Sequence, residues 1–178
     1  MADAAKGDRR PEWREPTSAI PLRWGGYRSR YVAALVLLIA GGLIMQATSA
    51  YADYFLTIGF SAHVVGWLIL PSRGPRRVAA AVPSALLIGS LLLGSVACVL
   101  LVVPLAFWFY LRQRPALSYL ATLLPLISGL VLAQLYPQYG DGGIVVAVST
   151  AVVVGSAWLG RTIAKSRQIE SPTDARLR

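Results

Sequence analysis

One uncharged stretch, from Val78 to Leu111, reads VAAAVPSALLIGSLLLGSVACVLLVVPLAFWFYL, and its length constrains how the whole chain is arranged. As a single α-helix it would be about 50 Å long. The hydrocarbon core of a bilayer is only about 30 Å thick, and tilting does not readily absorb the difference. Folded back near Gly94 and Ser95, the same stretch gives two short spans of about 16 residues each.

The charges on either side of this stretch favour two crossings. Arg76 and Arg77 precede it, and Arg112 and Arg114 follow it. Because basic loops stay on the cytoplasmic side of a membrane, both ends of the stretch belong on the same side. The sequence therefore predicts a helical hairpin with a proline in each arm. One long span, which would give five spans in all, is the alternative.

The 17 basic residues of the chain follow the same pattern throughout. Seven precede Tyr31, three lie in Pro71–Arg77, two flank Gln113, and five come from Arg161 onward. Two other gaps between apolar segments contain no basic residue and carry one carboxylate each, Asp53 and Asp141. This segregation is typical of a multi-pass membrane protein whose basic segments are all cytoplasmic.

The predicted fold is an all-α integral membrane bundle of about six helices, arranged as three hairpins with both termini in the cytoplasm. The other four spans are predicted at about 31–46, 54–70, 116–136 and 143–163. Residues 1–30 are predicted to be a basic N-terminal segment that is disordered or lies on the membrane surface. Residues 31–163 form the transmembrane domain, and 164–178 a short cytoplasmic tail.

The first span is predicted to remain uncleaved. Small residues from Ala47 to Ala52 have spacings that a signal peptidase accepts. However, about thirty polar residues precede the first apolar run, which is long for a signal peptide, and the next apolar run begins at Tyr54. Arginine greatly outnumbers lysine, which indicates a GC-rich bacterial genome. The expected location is therefore the bacterial plasma membrane.

Composition excludes several classes of partner and cofactor. The net charge of +9 lies in short loops and tails beside apolar segments, without an aromatic-studded basic face, so nucleic acid is not expected. The expected partner is the lipid bilayer, whose anionic headgroups attract each nearby cation by roughly 1 kcal/mol. Cys98 is the single cysteine, and no metal-ligand or cofactor motif is present.

Small residues at four-residue spacing are expected to mark the inward faces of three helical segments. These stripes are Ala81, Ala85 and Gly89; Ser90, Gly94 and Cys98; and Ala147, Ala151 and Gly155. Large aromatic residues near the cytoplasmic ends are instead expected to anchor the helices at the membrane surface. They are Trp67, Phe107, Trp108, Phe109 and Tyr110.

Five polar residues are candidate contacts for a ligand or a transport pathway. His63, the single histidine, lies mid-span, and an ionisable group at that depth is a functional candidate. The simpler interpretation is a neutral imidazole hydrogen-bonded to a neighbouring helix. Gln46, Gln134, Asp53 and Asp141 form a predicted outer rim, which either belongs to an ordinary aromatic belt or receives an extracytoplasmic ligand.

The leading functional prediction is a non-enzymatic accessory or interaction subunit, in complex with a membrane protein or with its own copies. The sequence contains no His-Glu-x-x-His zinc helix, no Gly-x-Ser-x-Gly nucleophile elbow and no phosphate-binding glycine loop with a lysine. The alternative is a small channel or transporter for a small solute, with His63 and Gln46 or Gln134 in the pathway. Prolines inside the spans would supply the broken helices that transport sites often use.

Overall fold

The computed structural model describes residues 16–19, 25–49, 51–137 and 142–170. Every regular element in these ranges is helical, which confirms the all-α prediction. The α-helices are α1 (Tyr27–Gln46), α2 (Tyr54–Ile69), α3 (Gly74–Gly89), α4 (Val102–Leu111), α5 (Leu123–Leu135) and α6 (Gly142–Glu170). The 3₁₀ segments are Pro16–Ala19, Ser90–Leu93, Ser95–Leu101 and Ala116–Thr122.

Within the described ranges, four helical stretches are long and apolar enough to cross a membrane. They are Tyr27–Gln46, Gly74–Leu93, Ala116–Leu135 and Gly142–Ser166. Within them, only 17% to 28% of the most apolar window is buried inside the protein. Two shorter apolar helical stretches, Tyr54–Ile69 and Ser95–Leu111, alternate with the first three. Broad exposure of apolar side chains on helices of this length is what a lipid-facing surface requires.

The long uncharged stretch breaks at Gly94, where the sequence predicts the turn. Gly94 has φ 113° and ψ −179°, a conformation that side chains with a Cβ rarely adopt. The two arms then fold back on each other. At the end of the hairpin away from Gly94, the hydroxyl of Ser72, just before α3, donates a hydrogen bond to the carbonyl of Leu111 at 3.1 Å.

Three prolines lie at the tenth residue of successive helical stretches. Pro83 is the tenth residue from Gly74, and Pro104 and Pro125 hold the same place after Ser95 and Ala116. Proline lacks an N–H group and displaces the carbonyl four residues earlier, which disturbs the preceding helical turn. In two of the three cases the helical stretch begins with a seven-residue 3₁₀ segment instead of an α-helix, and this segment ends shortly before the proline.

Glycines allow close backbone contact between α1 and α2. A Cβ atom built on Gly41 would lie 2.6 Å from the backbone nitrogen of His63, and one built on Gly59 would lie 2.6 Å from that of Met45. A similar contact joins α5 to the 3₁₀ segment before α4, because a Cβ on Gly129 would lie 2.7 Å from the nitrogen of Val99. These glycines therefore set the spacing of the helices.

Hydrogen bonds between helices place the basic segments at one end of the bundle. They join Arg30 to the Ile69 carbonyl, Ser72 to the Leu111 carbonyl, and Ser118 to the Gly160 carbonyl. We call this the basic end, and its described cations are Arg28, Arg30, Arg73, Arg76, Arg77, Arg112, Arg114, Arg161 and Lys165. Asp53, directly before α2, lies at the opposite end.

Helix boundaries differ from the prediction at three places. Helix α1 begins at Tyr27, four residues early, and α6 continues to Glu170. Helix α3 begins at Gly74, inside the predicted loop, because Pro75 occupies the first turn, where a missing N–H costs nothing.

The small-residue stripes have different outcomes. Ala81 and Ala85 are buried as predicted. The prediction for the third stripe is wrong, because Ala147, Ala151 and Gly155 are exposed on α6. The buried positions of α6 are Val145, Ser149, Ser156, Gly160 and Ala164, so this helix uses a serine-containing face for packing.

Candidate functional site

The candidate site is a buried polar centre around His63, where α1, α2 and α3 meet. His63 is the tenth residue of α2 and is only 3% exposed. It reaches this position because the glycine contacts bring α1 against the backbone of α2. Helix α3 closes the third side with Ser84, which directly follows Pro83 and is fully buried.

Both ring nitrogens of His63 have hydrogen-bond partners. Nδ1 lies 2.9 Å from the carbonyl oxygen of Leu38, which only accepts. The indole Nε1 of Trp67 donates to Nε2 at 3.0 Å, and the hydroxyl of Ser84 lies 3.3 Å from the same nitrogen. Because an indole N–H can only donate, Nε2 must be the acceptor and Nδ1 must carry the proton. The geometry therefore defines a neutral imidazole in a single tautomer.

This arrangement limits the chemistry that His63 supports. A second proton on Nε2 would face the N–H of Trp67, so protonation requires Trp67 to move away. Trp67 is only 3% exposed and packs against the ring of Trp108 with centroids 6.3 Å apart. A proton can thus reach His63 only together with a rearrangement of neighbouring side chains.

A chain of aromatic contacts leads from His63 to the basic end. Trp67 contacts Trp108, and Trp108 contacts Tyr31 with centroids 6.1 Å apart. The guanidinium of Arg112 lies over Tyr31 at 4.6 Å and near Trp108 at 5.7 Å. The sequence-based prediction placed Trp67 and Phe109 at the membrane surface. Both are buried, so as surface anchors these two residues were predicted wrongly.

Arg112 joins the N-terminal segment to the bundle. Its Nη1 donates to the hydroxyl of Tyr27 at 2.7 Å and to that of Thr17 at 3.2 Å. Arg112 is only 4% exposed, and Thr17 is fully buried. The sequence did not predict this cluster, because membrane orientation alone accounts for the position of Arg112. No local signal links two residues that lie 95 positions apart.

Two arginines cap the end of α2. Arg30 donates to the Ile69 carbonyl from Nε and Nη2, at 3.2 and 2.9 Å, and Arg77 donates to the Leu68 carbonyl at 2.9 Å. The last carbonyls of a helix have no partner within the helix and carry partial negative charge. These bonds from α1 and α3 therefore satisfy groups that a membrane interior could not.

The predicted outer rim does not join the polar centre. Gln46 donates to the Ile88 carbonyl at 3.0 Å, and it lies about 12 Å along α1 from the residue that binds His63. Gln134 is exposed on α5, and Asp53 is exposed before α2 without capping that helix. Asp141 lies outside the described residues, so its place in the rim stays a prediction.

The described residues contain no group of three or more His, Cys, Asp or Glu side chains that could hold a metal ion. Cys98 is buried and accepts a hydrogen bond from Ser149 at 3.4 Å, as a packing residue does. Comparison with protein-family models, curated proteins and solved structures gives no match.

Proposed function

We propose that this chain is a six-span integral protein of the bacterial plasma membrane, with both termini in the cytoplasm. Its basic end would face the cytoplasm and Asp53 the outside, an orientation that the distribution of basic loops supports. Helical lengths support six crossings. Ser95–Leu111 combines seven 3₁₀ residues with ten α-helical residues and is therefore about 29 Å long. Helix α2 is about 24 Å long. It is shorter than the hydrocarbon core of about 30 Å, and local thinning of the bilayer accommodates the difference.

Within that membrane, the protein acts as a non-enzymatic accessory or interaction subunit. One observation carries this proposal: both ring nitrogens of His63 are bonded within the bundle. An ionisable side chain that is fully satisfied by its own protein stabilises helix packing, whereas a catalytic or transport group needs access to substrate. The function of such a protein then depends on the partners that its surface binds.

Affinity purification from native membranes in mild detergent, read by mass spectrometry, tests this function. We expect one stoichiometric membrane partner or a defined homo-oligomer. Helix α6 is the first surface to alter, because it is the least buried of the four long spans. Ala151→Leu with Gly155→Leu should weaken the complex if α6 contributes, whereas Ala33→Leu, on the exposed face of α1, is the matched control. A monomer without any partner in native membranes would contradict the proposal.

A small transporter is the second candidate, and the mid-depth position of the polar centre favours it. His63 and Pro83 are both the tenth residue of their helices, about 14 Å from the helix start. Transport sites often lie at such depth beside interrupted helices. Liposomes that contain the purified protein and a pH-sensitive dye would report proton uptake. The transporter hypothesis requires a flux that His63→Gln abolishes, and equal flux in both proteins would remove His63 from the pathway.

A further inference from the structure

Three arginines surround the start of α3 at the basic end. Arg73 directly precedes the helix and is exposed, while Arg76 and Arg77 lie in its first turn and are half-buried. This turn contains no acidic residue, and no side chain caps it. The start of a helix already carries partial positive charge and unpaired N–H groups. Adding three cations there is unfavourable unless an anion joins them.

Arg76 is held in a way that leaves its donors available. Its guanidinium lies over the ring of Tyr110, 4.7 Å from the centroid. A guanidinium stacked by its face keeps its N–H groups at the edge, where they can bind phosphate. Within the described ranges, neither Arg76 nor Arg73 donates a hydrogen bond to another residue.

Arg77 adds a third positive charge to this turn. Its Nη1 binds the Leu68 carbonyl, while its Nε is buried and has no hydrogen-bond partner among the described residues. Because a buried N–H group is closed to a molecule outside the bundle, Arg77 attracts an anion through its charge and not through Nε. The one carboxylate side chain that the structure describes, Asp53, lies at the opposite end of the bundle.

An apolar strip runs along α3 from this turn toward the interior of the proposed bilayer. Val78, Val82 and Leu86 follow one another at four-residue spacing, so they lie on one face of α3. Their exposed fractions are 64%, 49% and 60%. A free phosphate ion would gain nothing from this strip. An acyl chain would lie along it while its headgroup remained at the level of the arginines.

We propose that Arg73, Arg76 and Arg77 bind the phosphate of an anionic phospholipid whose acyl chain lies along Val78, Val82 and Leu86. The proposal requires membrane insertion but not the role as an accessory subunit. Arginine suits this task because its planar donors match the geometry of phosphate oxygens. The site would fix one lipid at the turn between α2 and α3, beyond the general attraction of cations to the membrane surface.

Native mass spectrometry of the full-length protein in detergent tests this site. The protein is titrated separately with phosphatidylglycerol, phosphatidylcholine and inorganic phosphate. We expect preferential retention of phosphatidylglycerol. Arg73→Gln with Arg76→Gln should lower that affinity by about fivefold for each arginine removed. Arg77 is left intact because it also caps α2.

Arg28→Gln with Lys165→Gln is the matched control, since it removes two exposed cations from the same end. Its affinity for phosphatidylglycerol should stay close to that of the unaltered protein. An equal loss in the control would show that only overall charge matters and would overturn the site. Equal retention of phosphatidylcholine would do the same. Displacement of phosphatidylglycerol by millimolar inorganic phosphate would assign the arginines to a free ion instead of a lipid.

Discussion

At the scale of single residues, His63 and Trp67 constrain each other inside the bundle. The donor-only indole fixes the tautomer of the imidazole, and the imidazole in turn binds the backbone of α1. Each partner is buried, so loss of either leaves a polar group without water to replace it. Through this pair, side chains of α2 help to hold α2 against the backbone of α1.

We expect His63→Ala to destabilise the protein by about 2 to 4 kcal/mol, because it creates a cavity and leaves the indole N–H of Trp67 buried and unbonded. Thermal unfolding in detergent, compared between variants, measures this loss. Trp67→Phe should cost less, about 1 to 2 kcal/mol, because most of the aromatic packing stays and the Ser84 hydroxyl can still donate to Nε2. Ser61→Ala, exposed on the same helix, should leave stability unchanged. An unchanged melting temperature for His63→Ala would show that the pair has no structural role.

At the scale of helices, α1 and α2 depend on backbone contact. Gly41 and Gly59 each face the backbone of the other helix, so an added methyl group would meet atoms that cannot rotate away. Gly155, by contrast, has no described atom within 4 Å of the place where a Cβ would lie. Glycines of the same sequence thus have opposite tolerance to substitution.

Gly41→Ala and Gly59→Ala are each expected to separate α1 from α2 and to cost about 1 to 3 kcal/mol or more, because overpacking in a close contact forces the backbones apart. Gly155→Ala should be neutral or stabilising by up to about 1 kcal/mol, from helix propensity alone. Unfolding of the three variants in the same detergent decides the matter. Similar stability in all three would mean that the helices are not held by glycine contacts.

The sequence predicted the helices because local signals define them. The turn at Gly94 follows from the length of an uncharged run and from the arginines on both sides of it. The sequence could not distinguish Gly41 and Gly59 from the other glycines, because the distinction depends on which faces meet. It also took Ala147 and Ala151 for a packing face, since small residues are common on both packed and lipid-facing surfaces. The bond from Arg112 to Thr17 depends on the complete fold.

At the scale of the whole molecule, the separation of charge predicts the orientation of the chain. A topology reporter fused after Gly94 should be extracytoplasmic, and one fused after Arg114 should be cytoplasmic, because the arms of the hairpin return the chain to the basic end. A fusion after Ser49 serves as the control for the outer side. An extracytoplasmic reading at Arg114 would exclude six spans and support a single crossing by the stretch from Val78 to Leu111.

The hydrogen bond between Thr17 and Arg112 also has a consequence for biosynthesis. A ribosome adds about 5 to 20 residues per second, so Arg112 is made roughly 5 to 20 seconds after Thr17. The α1–α2 hairpin can pair during that interval, because both of its helices are already made. Residues 16–19 can form their bond to Arg112 only after α4 has been made. They therefore precede α1 and α2 in synthesis but take their final position after the α1–α2 hairpin can already have paired.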